Sequence, residues 1–262
     1  MKRVLLKEIP SDIPKELLPL FVGANVYDSS CSPEARVYFT EKDGGYYLKR
    51  APRATLEREA LLMKYYHSIG LCPEMLCYMS EGEHDWMLSE RASGEDCTHE
   101  KYTSDPARLA SLLGESLRAL HETSYHDCPV KNRTEEYIST VENNYKTGNY
   151  DRSAFPDSFG FRDADSAYAA FLSGKDMLKQ DVLLHGDFCL PNIMLDDWSL
   201  SSYIDVGCGG VGDRHIDLFW GSWTLWFNLK TDKYAARFFD AYGRDKIDAQ
   251  LLRVIAAAEV FG

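Results

Sequence analysis

The pattern of hydrophobic positions changes about one third of the way along the chain. Up to residue 90, apolar residues form short runs or alternate with polar ones, as they do in β-strands. After Gly94 they recur every three to four residues over long stretches, as in amphipathic helices. The pattern predicts an α+β fold with a small β-rich N-terminal lobe at 1–90, a connector at 91–96 and a larger, mainly helical lobe at 97–262.

The N-terminal lobe is predicted to contain a hairpin, one helix and two more strands. In the hairpin at 36–49, an Asp-Gly-Gly turn at 43–45 supplies the positive φ angles that a tight turn needs. Thr55 is the predicted cap of the helix that follows. The predicted apolar face of this helix consists of Leu61, Leu62, Tyr65, Tyr66 and Ile69. The two further strands are predicted around 74–80 and 86–90.

The C-terminal lobe is predicted to be helical except for one segment. Asp105 is a typical helix cap, because a proline occupies the next position and fits the first turn. Further helices are predicted near 134–146, 164–179, 213–228, 232–242 and 246–260. The exception is 181–206, which is predicted to form three short strands. These strands are Val182–Leu184, Ile193–Leu195 and Tyr203–Val206.

Composition narrows the class of protein. The chain has 262 residues, 45% of them apolar, which is enough for a sizeable core, and it has no apolar run long enough to span a membrane. The apolar patch near the start is too short for a signal peptide, and seven irregularly spaced cysteines indicate reduced thiols, so we expect a cytoplasmic protein. The net charge of −12 argues against nucleic acid and favours a cationic ligand if the acids converge on one cleft.

The most informative stretch is LLHGDFCLPNIML at 183–195, followed by YIDVG at 203–207. It contains Asp187, then Asn192 five residues later and Asp205 thirteen residues after that. In kinase-like phosphoryl transfer, one Asp accepts the hydroxyl proton, while an Asn and a later Asp hold Mg²⁺ against the phosphates. An HGD tripeptide alone is an ordinary turn, but the three residues together predict a Mg²⁺–nucleotide site.

A lysine and a glutamate in the N-terminal lobe extend this site. Lys49 ends the second hairpin strand, and Glu59 lies ten residues later on the apolar face of the predicted helix. A carboxylate on an apolar face needs a partner, and the adjacent lysine is the natural one. That pair would direct the ammonium group at the α- and β-phosphates. The alternative is that both side chains reach solvent, as most Lys and Glu side chains do.

Other motifs have weaker interpretations. The letters at 207–212 match GxGxxG, but no repeated βαβ units surround them, so we interpret them as a flexible loop after Asp205 rather than a dinucleotide fingerprint. The serine-rich segment 29–32 could cover phosphates. His185 could be a base or a scaffold residue, and Asp217 is expected to tie the catalytic loop by accepting backbone N–H bonds. The histidines do not match a zinc motif.

Taken in order, these motifs resemble a known family. LHGDFCLPNIM, YIDVG and GDRHIDL, with SPEARVYF, YYLK, LEREA, LHETSYHDCP and AEVF, are similar to the aminoglycoside phosphotransferases, particularly the 3′-phosphotransferases known as kanamycin kinases. The resemblance implies a protein-kinase-like two-lobed fold that uses Mg²⁺ and ATP. It implies transfer of the γ-phosphoryl group to the 3′-hydroxyl of an aminoglycoside, which confers resistance.

The resemblance also implies roles for individual residues. Asp187 would be catalytic, and Asn192 and Asp205 would bind the metal. The implied nucleotide-binding residues are Ser32, Tyr47, Lys49, Glu59, Ser89 and Arg91. The implied substrate-binding residues are Asp157, Glu259 and Phe261.

Two departures from the family and several alternatives stay open. Cys208 stands where relatives usually carry Arg, so one cation near the transferring phosphate is missing and nucleotide affinity or rate is in question. Ala258 stands where many carry Asp, so the range of antibiotics accepted is in question. The alternatives are a kinase of the same fold for a macrolide, choline, homoserine or a sugar, and a nucleotide-binding pseudoenzyme. The sequence does not decide between a monomer and a weak dimer.

Overall fold

The computed structural model of the protein describes residues 3–150 and 160–262. The chain divides into two compact units, and each unit is built from two separate stretches. The first unit comprises the chain up to Thr98 together with Pro191–Gly207, and the second comprises His99–Leu190 and Cys208–Gly262. Across the described ranges, no helix combines the length and hydrophobicity that crossing a membrane requires.

The first unit contains a six-stranded antiparallel sheet with the strand order β1-β2-β3-β4-β6-β5. Its strands are β1 (Val4–Leu5), β2 (Val26–Asp28), β3 (Arg36–Thr40), β4 (Tyr46–Pro52), β5 (Met75–Glu81) and β6 (His84–Glu90). The core on this sheet consists of Ile13, Leu17, Phe21, Val26, Tyr38, Leu48, Trp86 and Leu88. The predicted β-rich character of this part of the chain is confirmed.

The predicted hairpin is formed by β3 and β4. The two strands pair antiparallel, with Val37 opposite Lys49. The connecting turn has positive φ angles at Asp43, Gly44 and Gly45, of 50°, 100° and 107°. The Asp-Gly-Gly signal therefore predicted both the place and the backbone conformation of the turn.

The helix after the hairpin, α1 (Glu57–Ser68), begins differently from the prediction. The Thr55 hydroxyl does not cap it but donates to the carbonyl of Pro52. The backbone N–H of Leu56 instead donates to a carboxylate oxygen of Asp85, 3.0 Å away on β6. The expected apolar face is partly wrong, because Leu61 is exposed. Glu59 is buried on the inward face together with Leu62 and Tyr66, as predicted.

A second, three-stranded sheet completes the first unit, in the order β10-β9-β7. It consists of β7 (Glu95–Asp96), β9 (Ile193–Asp196) and β10 (Ser199–Tyr203). The strand predicted at Tyr203–Val206 therefore lies about four residues too far along the chain. Pairing with β9 ends at Tyr203, and Asp205 follows with a positive φ of 56°, which a continuing strand cannot accommodate.

The second unit is mainly helical, as predicted. Its helices are α2 (Glu100–Thr103), α3 (Pro106–Glu122), α4 (Arg133–Thr147), α5 (Ala164–Leu172), α6 (His215–Leu229), α7 (Ala235–Tyr242) and α8 (Ala249–Ala258). The Asp105 side chain accepts the Arg108 N–H at 3.1 Å, so the predicted cap of α3 is confirmed. Helices α5 and α6 both pack against α8. The seven cysteines are all free thiols, as the sequence indicated.

The glycine-rich segment at 207–212 is more ordered than predicted. Its second half, β11 (Gly210–Gly212), pairs antiparallel with β8 (Val182–Leu184). The interpretation as a flexible loop is therefore wrong for this half. The antiparallel pairing also excludes a dinucleotide fingerprint here, because that motif joins parallel strands through a helix.

The Asp85 side chain gives a testable link between α1 and the sheet. It is fully buried and accepts hydrogen bonds from the Leu56 N–H and from the Ser80 hydroxyl, 2.5 Å away. Burial alone would raise the pKa of Asp85, but these hydrogen bonds hold it below its usual range. The carboxylate therefore stays ionised at neutral pH.

We expect Asp85→Ala to lower the free energy of unfolding by about 1–3 kcal/mol, because it leaves the buried Leu56 N–H without its acceptor. Urea unfolding followed by circular dichroism measures this change. Ser80→Ala, which removes one donor and leaves the bond to α1 in place, is the control and should cost less. Equal losses in the two variants would contradict a capping role for Asp85.

Candidate active site

An ion-paired cluster lies in the first unit, where the sequence predicted a lysine and two acids. Lys49 on β4 lies opposite Met87, and Glu59 lies in the first turn of α1. The Lys49 Nζ atom donates to both carboxylate oxygens of Glu59, at 3.0 and 2.8 Å. It also donates to Oδ1 of Asp205 at 2.8 Å. The predicted Lys49–Glu59 pair is confirmed, and Asp205 joins it.

The cluster has one ammonium group and two carboxylates, so it carries excess negative charge. Burial alone would lower the pKa of Lys49, but the charges of Asp205 and Glu59 raise it above its usual range, and the lysine stays protonated. Burial raises the pKa of Glu59, and the ammonium of Lys49 opposes this effect. Such a cluster is suited to receive a further cation.

The donor groups fit a hard divalent cation. The side chain of Asp205 is about half exposed, at 53%. Asn192 lies on the adjacent backbone, since its carbonyl accepts the Ile204 N–H at 3.0 Å. One carboxylate and one carboxamide are the kind of oxygen ligands that Mg²⁺ uses when phosphates and water supply the rest. In the described part of the chain, no group of three His, Cys, Asp or Glu side chains forms an all-protein metal site.

The cluster opens into a cavity of about 330 Å³ that the first unit forms on its own. This volume lies within the range of small-molecule sites. All six predicted nucleotide-binding residues line the cavity: Ser32, Tyr47, Lys49, Glu59, Ser89 and Arg91. The structure therefore brings these residues together, although their individual roles stay predictions.

Arg3 also lines this cavity, and sequence reasoning missed it. Its guanidinium donates to the Tyr47 hydroxyl at 2.6 Å and lies 3.8 Å from the centre of the Phe39 ring. Phe39 and Tyr47 are in ring contact, with centroids 4.8 Å apart. No local pattern could have indicated Arg3, because only the pairing of β1 with β2 at the sheet edge brings it here.

Two backbone N–H groups at the junction of β6 and the predicted connector already have hydrogen-bond acceptors. The Glu90 N–H donates to the Glu74 carbonyl, and the Arg91 N–H donates to the Gly45 carbonyl, both at 3.0 Å. The resemblance implied that Ser89 and Arg91, in this segment, bind the nucleotide. That role stays a prediction, and binding through the backbone of Arg91 requires its N–H to exchange or share its present acceptor.

Asp187 lies in the second unit, on a loop that a buried carboxylate fixes. The Asp217 side chain accepts the backbone N–H groups of His185 and Gly186, both at 2.7 Å. This arrangement confirms the expected role of Asp217. Gly186 has a φ of 84°, and a Cβ atom there would lie only 1.9 Å from the Cys208 carbonyl oxygen. No other residue type fits this position without moving the backbone.

A hydrogen-bonded chain supports Asp217 from the opposite side. His121 is buried, with Nε2 at 3.2 Å from Asp217 Oδ2 and Nδ1 at 2.8 Å from the Tyr242 hydroxyl. Burial lowers the pKa of His121, so the ring is neutral, with its proton on the nitrogen that faces the carboxylate. His185 is also fully buried, and its Nδ1 accepts the Asp187 N–H at 3.2 Å, which favours the scaffold interpretation over the base.

A second carboxylate site lies at the end of α8. One carboxylate oxygen of Glu259 accepts hydrogen bonds from the Tyr137 hydroxyl at 2.7 Å and from Trp220 Nε1 at 3.2 Å. Burial raises the pKa of Glu259 to about 7, with the charge of Asp187 also contributing in that direction. Sequence reasoning missed both partners, since they lie 122 and 39 residues away along the chain.

The other predicted substrate-binding residues have different outcomes. The Phe261 ring is fully buried and packs edge-on against Tyr145 and Tyr150, which favours a packing role, and its contact with substrate stays a prediction. Asp157 lies outside the described residues. Asp187 belongs to the second unit, whereas Asn192 and Asp205 belong to the first, so their predicted convergence on one cation also stays a prediction.

The two departures from the family pattern occupy defined places in the second unit. Cys208 is exposed, and its carbonyl accepts a hydrogen bond from Arg133 Nε at 2.8 Å. A guanidinium therefore stands beside this position although residue 208 is not an arginine. Ala258 is fully buried in the core, so a side chain at this position faces packing neighbours and not solvent.

Comparison with known proteins places the chain in a family. The model of the phosphotransferase enzyme family matches residues 32–254. A probable aminoglycoside 3′-phosphotransferase of Lactococcus lactis is 45% identical over 260 residues, which cover 98% of this chain and 99% of that protein. An aminoglycoside 3′-phosphotransferase of Niallia circulans is 27% identical, over 82% of this chain and 83% of its own length. The chain belongs to the phosphotransferase enzyme family, among relatives that are named aminoglycoside 3′-phosphotransferases.

Solved structures agree on the fold. A type VIII aminoglycoside 3′-phosphotransferase superimposes with a TM-score of 0.73 at 19% identity and covers 92% of this chain and 94% of its own. The Streptomyces rimosus phosphotransferase APH(3″)-Id, in complex with ADP and streptomycin, superimposes with a TM-score of 0.69 at 21% identity. The match covers 87% of this chain and 91% of that protein. The predicted protein-kinase-like fold is therefore confirmed.

The loop that carries Asp187 gives a prediction that does not depend on any ligand. We expect Asp217→Asn to lower the free energy of unfolding by about 2–4 kcal/mol, because a carboxamide can accept only one of the two N–H groups and turns its own NH₂ toward the other. Urea unfolding measures the loss, and amide hydrogen exchange at His185 and Gly186 should accelerate. Asp181→Asn is the matched control, since the ion pair of Asp181 with Arg214 is partly exposed. If the control behaved like Asp217→Asn, the assigned role would be wrong.

Proposed function

We propose that the protein transfers the γ-phosphoryl group of ATP to the 3′-hydroxyl of an aminoglycoside and thereby confers resistance to it. The observation that carries the proposal is the cluster in which Lys49 Nζ binds Glu59 and Asp205 inside a nucleotide-sized cavity. A kinase needs this lysine to reach the phosphates and an acid beside it to hold the metal. The name of the Lactococcus lactis relative supports the choice of acceptor.

The first unit would bind the nucleotide. Lys49, held by Glu59, would contact the phosphates, while Tyr47 and the guanidinium of Arg3 would contact the base end of the cavity. Asn192 and Asp205 would hold Mg²⁺, which when bound neutralises charge on the phosphates. The ADP in the Streptomyces rimosus structure and the AMP-PNP in an APH(4)-Ia structure support a nucleotide as the donor.

The second unit would bind the acceptor. Phosphoryl transfer has a loose transition state that requires little activation of the attacking hydroxyl. Asp187 would therefore orient the hydroxyl and accept its proton late in the reaction. The two bonds from the His185 and Gly186 amides to Asp217 fix the loop, so Asp187 would be positioned before substrate arrives. No covalent enzyme intermediate is required.

Recognition of a polyamine requires anionic contacts. Glu259 is the described candidate, and the net charge of −12 favours a cationic substrate over long range. The buried Ala258 removes one acid that many relatives have at this end of the chain. The set of accepted aminoglycosides would therefore differ from that of relatives with more acids, while the reaction would stay the same.

The decisive experiment compares two acceptors that differ at one position. Purified protein with Mg²⁺ and ATP should phosphorylate kanamycin but not tobramycin, which lacks the 3′-hydroxyl, in an assay for radiolabelled γ-phosphate transfer. Asp187→Ala should lower turnover by about 10²–10⁴, the usual contribution of general acid–base catalysis, while ATP binding measured by calorimetry persists. Phosphorylation of tobramycin would contradict the regiochemistry. Transfer only to choline or erythromycin would overturn the proposed acceptor.

The raised pKa of Glu259 predicts a pH dependence. Below about pH 7 this carboxyl is protonated and cannot pair with an ammonium group of the substrate. We expect kcat/KM for kanamycin to fall about tenfold as the pH decreases from about 8 to about 6, because only the ionised form binds well. The KM for ATP should stay nearly constant.

Tyr137→Phe tests the assignment of that pKa. The Tyr137 hydroxyl donates to Glu259 and opposes the effect of burial, so its removal should move the midpoint of the profile to higher pH. Tyr145→Phe is the control, because Tyr145 donates to Asp165 instead. A profile that keeps its midpoint in Tyr137→Phe, or in Glu259→Gln, would show that another group controls it.

A further inference from the structure

Three aromatic side chains form a continuous ladder along one face of α6. They are Trp220, Trp223 and Phe227, at positions i, i+3 and i+7, which share a face of a helix. Trp220 and Trp223 meet edge to face, with ring centroids 5.2 Å apart. Trp223 and Phe227 are stacked, with centroids 4.8 Å apart and an angle of 11° between the rings. We call these three residues the aromatic ladder.

The ladder begins at the candidate substrate site. Trp220 Nε1 donates to the Glu259 carboxylate, and the charge of Asp187 contributes to the raised pKa of that same carboxyl. From Trp220 to Phe227 the helix rises by about 10 Å, at 1.5 Å per residue. The ladder therefore leads from the predicted acceptor site to a place about two sugar rings along α6.

The far end of the ladder is not packed into the core. Phe227 is 46% exposed, in contrast to the buried residues on the opposite face of α6 such as Leu218 and Leu225. Trp223 carries a buried Nε1 hydrogen that has no acceptor among the described residues. A buried indole donor usually has a partner, because leaving it without one costs free energy. The stack thus presents an exposed apolar ring face, that of Phe227, which a ligand can use.

A cation already occupies this ring face. The Lys230 Nζ atom lies 4.2 Å from the centre of the Phe227 ring, within the range of a cation–π contact. Lys230 ends α6 in the left-handed conformation, with a φ of 56°, and its side chain is solvent-exposed. A flexible lysine of this kind can withdraw when another ammonium group binds. The contact demonstrates the chemistry that the ring face accepts.

We infer that the aromatic ladder is a subsite for an amino-sugar ring of the substrate beyond the ring that is phosphorylated. The amino sugar would lie against the outer face of the Phe227 ring, whose other face is stacked on Trp223, and its ammonium group would take the place of Lys230 Nζ. The inference rests on the proposed function. It explains how the substrate-binding end of the site, which has few acidic side chains, could still bind an ammonium group. Aromatic faces attract ammonium groups without the desolvation cost of a second buried carboxylate.

Substitutions of Phe227 distinguish the contribution of its aromatic face to substrate binding from that of its apolar volume. Phe227→Leu keeps apolar volume but removes the π-face, so KM for kanamycin should increase about threefold to thirtyfold, the range of a cation–π contact. Phe227→Tyr keeps the ring and should restore the wild-type KM. In both variants the KM for ATP should be unchanged. Trp226→Ala is the matched control, because Trp226 is on the same helix and equally exposed, at 44%, but is only tilted against Trp223.

A binding measurement without chemistry gives a second readout. Tobramycin added in the absence of ATP should change the tryptophan fluorescence of the wild-type protein, through Trp223, and titrate with a weaker Kd in Phe227→Leu. Light scattering of the same samples reports whether this face instead binds a second copy of the chain.

The outcomes distinguish the two proposals. If the wild-type protein phosphorylates kanamycin and Phe227→Leu has the same KM and Kd as wild type, the subsite is wrong while the proposed function stands. An equal loss in Trp226→Ala, or a Phe227→Leu effect confined to a monomer–dimer equilibrium, would also overturn the subsite. If no aminoglycoside is phosphorylated by the wild-type protein, the proposed function itself fails.

Discussion

The contact on which the candidate site depends is a single ammonium group shared by two carboxylates. Lys49 Nζ joins Glu59 on α1 with Asp205, which lies 156 residues away along the chain. Lys49 and Glu59 are largely buried, so removing either one leaves the charge of the other without compensation. The cluster therefore fixes β4, α1 and the segment after β10 relative to one another within the first unit. It also leaves one negative charge in excess, which suits a site for Mg²⁺ and phosphates.

In the second unit, a buried carboxylate that accepts hydrogen bonds from backbone N–H groups holds the loop of Asp187. Asp217 is fully buried and takes the N–H groups of His185 and Gly186, and His121 supports it from behind. In both units a carboxylate on a helix holds a candidate functional group: Glu59 binds Lys49 Nζ, and Asp217 binds the loop that carries Asp187. A rigid carboxylate anchor allows a loop to carry a reactive group such as Asp187 in a defined place.

Much of the fold was predictable because local patterns reflect local physics. The hairpin turn followed from Asp-Gly-Gly, and the start of α3 followed from Asp105 before a proline. The errors occurred where a distant residue replaced the local signal. Thr55 does not cap α1, because the Leu56 N–H at the start of this helix donates to Asp85 on β6 instead. The strand predicted to reach Val206 ends at Tyr203, which is the last residue of β10 that pairs with β9.

The sequence by itself determined the kinds of groups available and their spacing: Asp187, Asn192 and Asp205 after short apolar runs, with Lys49 and Glu59 ten residues apart. Only the tertiary structure decided which of these groups meet and what else joins them. It brought Arg3 to Tyr47 through strand pairing, and Tyr137 and Trp220 to Glu259 through helix packing. The physical reason is that periodicity encodes which face of an element is buried, whereas the partner of a buried polar group is set by the elements that pack against it.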